Sequence, residues 1–253
     1  MLKIDRVLFK NLIGGIRDLT ALGEAKFSFT KEGLKAVVVD GSNVMMTKIE
    51  IPENAFMVYD LTEPEHIGID LKKIFEVVKS SKEELLEMEI DKDKNNLIVR
   101  LGNMKYTIAL IDPTHLKTPK EPNLNLPANF AVDTKEFKEA IKLTTKIGVQ
   151  AYLETNEEGF VIWTKGDVER LKYTIPNSRI LNLDGNPLDG SLPKAKSLFA
   201  KEYLNIVAKN AFSEITKISL GIDYPVVVRF EEQIDNATAC LEYIIAPRIE
   251  ESD

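Results

Sequence analysis

The chain repeats itself once, and the repeat limits what it can fold into. Phe9-Lys10 and Ile13 match Phe137-Lys138 and Ile141. Ala25 through Glu32-Gly33-Leu34 matches Ala151 through Glu158-Gly159-Phe160 without a gap, and Ile51-Pro52 matches Ile175-Pro176. The separations are 128, 126 and 124, shrinking smoothly as loop deletions would make them. Further on, Lys79 matches Lys209 and Ile90 matches Leu220, both 130 residues apart. Each half reads as helix, strands, helix, strands over about 110–125 residues, an ordinary domain length. Mostly antiparallel sheet with helices on one face predicts an α+β domain, present twice. Two units are too few for a solenoid.

Periodicity supplies the elements. FKNLIGGIRDLTAL predicts a helix over 9–21, with Leu12, Ile16 and Leu19 on one face and Lys10, Gly14 and Arg17 opposite. Two glycines inside a helix cost roughly 1 kcal/mol each, so packing must hold this one. AKFSFTKEGLKAVVVDGSNVMMTKIEIP then alternates like strands, with turn residues at Lys31-Glu32-Gly33 and Asp40-Gly41-Ser42-Asn43. Three more helices are predicted. In 71–80, Leu71, Ile74, Phe75 and Val78 face inward; in 134–147, Phe137, Ala140, Ile141 and Thr144; in 201–211, Tyr203, Leu204, Val207 and Ala211. Between the halves, DPTHLKTPKEPNLNLP holds four prolines. Proline removes backbone donors and biases its predecessor toward extended geometry, so Asp112–Pro127 reads as an extended surface connector. The predicted boundaries are 1–111, 112–127 and 128–253.

The net charge is −7, which by itself argues against nucleic acid. The distribution says otherwise. The four predicted helices hold eleven basic residues: Lys10, Arg17, Lys72, Lys73, Lys79, Lys135, Lys138, Lys142, Lys146, Lys201 and Lys209. Against these stand five acids, in a chain of 33 basic and 40 acidic residues, so the helices carry +6 and the remainder −13. Lys135, Lys138, Lys142 and Lys146 share one narrow helical sector. One such helix is an ordinary solvated face. Four repeat-related helices with the same bias predict a positive face that holds phosphates without reading bases.

Catalytic and metal signatures are missing. No Gly-x4-Gly-Lys-Ser/Thr loop occurs. His66 and His115 sit in predicted Pro- or Thr-flanked loops without a nucleophile motif. The Asp91 turn has Asn96 where a calcium loop needs Gly and Gly102 where it needs Glu. Cys240, the single cysteine, lies in an apolar strand pattern and reads as core; with one cysteine no intrachain disulfide or zinc cluster can form. These features predict a non-enzyme without metal or cofactor. The start is not that of a signal peptide and no apolar run is long enough to span a bilayer, so a cytoplasmic protein without membrane contact is expected.

Asp40-Gly-Ser-Asn-Val after a strand, Ile51-Pro52, the proline-broken connector, Tyr203-Leu204 and the end Ile245-Ala246-Pro247-Arg248-Ile249-Glu250-Glu251 resemble the proliferating cell nuclear antigen family of sliding DNA clamps, in its archaeal branch. The resemblance covers essentially the whole chain. It implies a trimeric ring of six similar domains, with helices lining the hole and sheets outside, around double-stranded DNA. It implies a docking pocket for partner peptides that carry a Gln, an aliphatic residue and paired aromatics. Carried over, that pocket comprises Val39, Gly41, Asn43 and Met46, then Leu116, Pro225, Ile244, Ala246 and Pro247. The implied partners are DNA polymerase, flap endonuclease and DNA ligase, with a clamp loader to open the ring. Subunit contacts would pair Lys105, Tyr106, Thr107, Ile108, Ala109 and Leu110 with Val168, Glu169, Arg170, Leu171, Lys172, Tyr173 and Thr174.

The chain departs from the family at Gly14 and Gly15, at Thr118 where a second apolar connector residue is common, and at Ile244 where some relatives have an aromatic. The residues leave open whether the ring is built from copies of this chain or from paralogous subunits, including a checkpoint-type clamp. They also leave open an unrelated α+β binding module with merely solvated lysines.

Overall fold

The computed structural model describes residues 1–17, 19 and 23–249. The chain divides into two compact units, Met1–Lys120 with Glu231–Leu241, and Glu121–Phe230 with Glu242–Asp253.

The first unit opens with β1 (Leu2–Asp5), α1 (Arg6–Arg17), β2 (Glu24–Thr30), β3 (Gly33–Val39) and β4 (Met45–Pro52). It continues through β5 (Val58–Tyr59), β6 (Glu65–Asp70), α2 (Leu71–Ser80), β7 (Leu85–Asp91), β8 (Asn96–Leu101) and β9 (Met104–Ala109). One sheet runs β5-β1-β7-β8-β9; β4, β3, β2 and β6 are neighbours in another. The pairs are antiparallel. Phe9, Leu12, Ile13, Ile16, Phe27, Phe29, Ile49, Leu71, Ile74 and Val78 are buried between helices and strands. Each such side chain contributes about 1.5–3 kcal/mol.

The second unit repeats the order with β10 (Ala128–Asp133), α3 (Thr134–Thr144), β11 (Gln150–Asn156), β12 (Gly159–Lys165) and β13 (Arg170–Pro176). Then come β14 (Ala195–Ala200), α4 (Lys201–Asn210), β15 (Ile215–Leu220), β16 (Val226–Ile234) and β17 (Ala237–Ile245), of which the stretch Glu231–Leu241 belongs to the first unit. Its strands run β13-β12-β11-β14 in one sheet, with β10, β15, β16 and β17 as neighbours in another. Phe130, Phe137, Phe160, Phe199 and Phe230 are fully buried.

The repeat holds at the level of backbone geometry. Gly33 pairs with Pro52 and Gly159 with Pro176, at φ +126° and +130°. A Cβ at Gly33 would lie 2.1 Å from the Ile51 carbonyl oxygen, and one at Gly159 would lie 2.2 Å from that of Ile175. Only glycine fits either place. Helix starts also recur. Asp5, Asp70 and Asp133 accept hydrogen bonds from the amides of Leu8, Lys73 and Glu136 at 2.7, 3.0 and 2.9 Å. Each satisfies an otherwise orphaned donor and puts negative charge at a positive helix end. At α4 the corresponding residue is Ala200, without a side-chain cap.

Several expectations need correction. Helix α1 starts at Arg6 rather than residue 9 because Asp5 caps it. Gly14 is buried with Gly15 instead of lying on the opposite face. The end of that predicted helix, at Asp18, Thr20 and Ala21, lies outside the described residues, as do Glu250 and Glu251. Phe75 and Tyr203 are half-buried rather than core. Helix α3 stops at Thr144, where the Thr145 amide turns back onto the carbonyls of Ile141 and Leu143; Lys146 is therefore beyond the helix. Helix α4 ends at Asn210, and buried Ala211 follows it. His66 is on β6 rather than in a loop, with Nδ1 3.0 Å from Ser28 Oγ. Cys240 on β17 is half-buried.

Candidate DNA-facing helices, docking groove and edge strands

The helices as they form hold eleven basic and four acidic residues. The eleventh is Arg6, which the predicted helix start at residue 9 excludes. Its side chain is a strap: Nε donates to the Glu83 carbonyl and Nη1 to that of Val78 at 3.3 Å. Lys72, Lys79, Lys135, Lys142 and Lys209 are exposed; Lys10, Arg17 and Lys201 are half-buried. Lys73 is exposed and pairs with Asp70 at 3.2 Å. Lys138 is half-buried and donates to the Ala211 carbonyl at 3.3 Å, which ties α3 to the end of α4. Exposed Lys146 belongs to the turn after α3. The Arg17 guanidinium lies 3.9 Å from the Phe75 ring centre, linking α1 to α2.

In the first unit a groove of about 410 Å³ runs between β3 and the connector. Val37, Val38 and Val39 form one wall, and His115, Leu116, Lys117, Thr118 and Pro119 the other. Ala25, Lys26 and Asn43 also line it. It thus brings together three of the carried-over residues, Val39, Asn43 and Leu116. Half-buried Met46 pairs with Val39 in the sheet, and Gly41 is exposed in the adjoining turn. Pro225, Ile244, Ala246 and Pro247 belong to the second unit, each half-buried. Val37, Val38, His115, Lys117 and Pro119 line the groove outside the carried-over set; an extended connector read from prolines alone gives no sign of which strand it lies along.

Two polar devices shape this groove. Asp40 accepts from the amides of Ser42, Val44 and Met45 at 3.1, 2.8 and 2.7 Å, and Asn43 sits at φ +57°. The carboxylate substitutes for water on three turn donors, so the Asp-Gly-Ser-Asn-Val motif is a rigid corner. Asp112 accepts from the Thr114 hydroxyl at 2.7 Å and amide at 2.9 Å, opening a 3-10 turn at Pro113–His115. The Thr114 bonds hold the Asp112 carboxyl below the ordinary carboxylate range.

The residues assigned to subunit contact fall on sheet edges. Strands β9 and β13 are each the last strand of their sheet, with one side unpaired among the described residues. The strands are shifted from the expected spans. Leu110 follows β9, where its amide donates to the Asn95 carbonyl at 2.9 Å, and Val168 and Glu169 precede β13. Val168 is 96% exposed, a large apolar side chain open to solvent beside an edge. Burial, then the charges of Glu136 and Glu139, push the Tyr173 phenol up. Among the described residues no group of His, Cys, Asp or Glu could hold a metal ion, and no helix is long and apolar enough to cross a membrane.

A tandem α+β repeat with basic helices and open edge strands defines a clamp-class protein. Residues 3–112 match the family described as proliferating cell nuclear antigen, N-terminal domain. The DNA polymerase sliding clamp of Archaeoglobus fulgidus is 36% identical over 98% of this chain and 99% of its own. That of Methanocella arvoryzae is 32% identical over 98% and 97%. A solved structure titled as the C-terminal region of FEN-1 bound to A. fulgidus PCNA matches at TM-score 0.87 and 35% identity, covering all of both chains. The chain belongs to the proliferating cell nuclear antigen family of DNA polymerase sliding clamps.

Proposed function

We propose that three copies of this chain close head to tail into a ring around double-stranded DNA. The ring acts as a processivity factor for DNA polymerase and a platform for flap endonuclease and DNA ligase. Each chain contributes a clamp domain over 1–111, a connector over 112–127 and a second domain over 128–253. The observation that carries this reading is the cation bias on all four repeat-related helices of a chain whose net charge is −7. Lysines at this spacing attract phosphate as point charges without base readout, so the ring stays mobile along the duplex. Enclosure then provides retention that affinity does not.

Partners enter through the groove at Val39, Asn43 and Leu116, with Gly41 and Met46 beside it; in the second unit the residues assigned to docking are Pro225, Ile244, Ala246 and Pro247. A short peptide laying paired aromatics on this aliphatic wall suits its composition. The A. fulgidus relative in complex with a FEN-1 region supports peptide docking of this kind. Strands β9 and β13 pair across subunits, which removes both open edges. A ring needs no reaction centre of its own: the chain is a non-catalytic, cytoplasmic scaffold, and a clamp-loader ATPase opens it.

Light scattering on the purified chain tests the assembly. A mass of three times 28.5 kDa is expected. A monomer at micromolar concentration contradicts the self-sufficient ring, and trimerisation only with a paralogous subunit replaces it with a heterotrimeric clamp.

A further inference from the structure

The repeat breaks at one place, and a pocket opens there. A cavity of about 320 Å³ lies between the start of α1, the segment after β4 and the tip of the β16–β17 hairpin. Its lining falls within Met1–Lys120 and Glu231–Leu241, so it belongs to the first unit alone. It shares no residue with the groove along the connector. Buried Leu8 and Phe56 line it, together with Val7 and Met57, which are 42% and 66% exposed. Three exposed carboxylates, Asp5, Glu232 and Asp235, complete an acidic, partly apolar lining; among the described residues no Lys or Arg joins it.

The other half shows what suits such a place. Asp5 and Asp133 cap the first helix of each half, 128 residues apart, so Leu8 corresponds to Glu136. The 3-10 turns Glu53–Ala55 and Asn177–Arg179 follow the matched Pro52 and Pro176, 124 residues apart, so Ala55 corresponds to Arg179. In the second unit these two positions hold an ion pair, Arg179 Nη1 to Glu136 Oε1 at 2.9 Å. In the first unit Ala55 supplies no guanidinium and Leu8 no acid, yet carboxylates return by another route. Strands β8 and β9 hold six residues each, whereas their repeat counterparts β16 and β17 hold nine. The longer hairpin brings Glu232 and Asp235 to the pocket. We propose that this pocket docks an arginine from a basic, leucine-bearing segment of a partner protein, in the place that Arg179 takes in the second unit. This contact is separate from the connector groove and does not depend on it. An arginine stem covers apolar surface such as Val7 and Met57 while its head stays polar. Its forked donors can serve more than one carboxylate, which the point charge of lysine does less well. The uncompensated acids also favour the approach of a cationic segment over an acidic one.

The probe is a fluorescein-labelled, capped heptapeptide alternating leucine and arginine, compared by anisotropy with its lysine and citrulline analogues at physiological ionic strength. The full chain carries methyl-labelled methionine, so that NMR signals of Met57 at the pocket and Met46 beside the connector groove report where the peptide sits. Saturable binding with a shift at Met57 is expected, about tenfold tighter for the arginine peptide than for its citrulline analogue, the scale of a hydrogen bond to a charged group. Glu232→Gln combined with Asp235→Asn should weaken binding by a similar factor; Asn accepts the φ of +48° at position 235, so the turn is kept. Ala55→Arg should abolish binding by supplying the arginine from the chain itself. Thermal melting checks the fold of each variant, and the hairpin-tip variant decides alone if Ala55→Arg does not fold. No binding, equal affinity for the arginine peptide and either analogue, a shift confined to Met46, or undiminished binding to the hairpin-tip variant overturns the inference. A light-scattering mass beyond three chains that Ala55→Arg brings back to three identifies a second copy as the occupant and overturns it as well.

Discussion

Leu116 of the connector rests directly on Gly68 of β6. A Cβ at position 68 would lie 2.8 Å from Leu116 Cδ1 and 2.6 Å from the Ile111 carbonyl oxygen. The backbones of Gly68 and Ile111 also exchange hydrogen bonds, at 3.1 and 2.9 Å. The connector is therefore laid on the sheet edge at its start, and Leu116 reaches the groove because nothing projects from residue 68. Gly68→Ala is expected to push the connector off the strand at about 1–3 kcal/mol. Calorimetric affinity for a docking peptide should fall at least several-fold with the oligomer intact. Unchanged affinity would separate Leu116 from the docking wall.

Asp40 predicts a different kind of loss. Its carboxylate accepts hydrogen bonds from the amides of Ser42, Val44 and Met45. Asp40→Ala is expected to destabilise the chain by about 1–2 kcal/mol in chemical unfolding. Asp40→Asn keeps the Oδ1 acceptor that serves Val44 and Met45, so it should lose clearly less. Equal loss from both would mean that charge, rather than acceptor geometry, holds the turn.

The alkaline limb of stability has a predicted contributor. The Tyr59 hydroxyl donates to the Thr30 carbonyl at 2.8 Å, and burial pushes its pKa up from 10.0 to about 12. The folded state thus keeps a proton that the unfolded chain releases near pH 10. The stability this contributes is complete below that pH and is lost as pH rises toward about 12. Melting temperatures of wild type should drop more steeply across that window than those of Tyr59→Phe. Parallel curves would contradict the assignment.

For the basic faces, replacing Lys138, Lys142 and Lys146 with Ala should leave the fold unchanged and reduce polymerase stimulation on primed DNA. Every lysine withdrawn from a phosphate lowers the salt dependence of duplex binding by about 0.9 in slope. Lys138 already bonds the Ala211 carbonyl, so Lys142 and Lys146 should account for most of the change. Unchanged stimulation would remove this helix from the DNA side.

Much of the fold was legible in the residues. Helix α2 runs over the predicted 71–80, and the gapless match from Ala25 to Leu34 recurs as paired strands carrying the same positive-φ glycine. Both rest on local pattern, which periodicity and turn chemistry record well. What was missed depends on contacts between distant positions. Gly68 reads only as a weak strand residue, because its partner Ile111 is far away in sequence. Gly14 falls opposite the apolar stripe of α1 by periodicity, yet it is buried in the fold. Lys146 fits the helical sector of α3, yet Thr144 and Thr145 turn their hydroxyls onto the carbonyls of Ala140 and Ile141 and the helix ends there. Phe75 fits the inward stripe of α2, and nothing in its spacing shows that Arg17 takes part of its ring.

Enclosure of DNA is the central claim, and threading tests it without a loader. A long duplex is fixed to a bead at one end, the protein is allowed to slide on from the open end, and that end is then blocked. After a wash at high salt, which removes phosphate-bound protein, the account predicts that the ring stays on duplexes blocked at both ends. It should leave when a restriction cut opens one. Equal loss from blocked and open duplexes would contradict a closed ring around DNA.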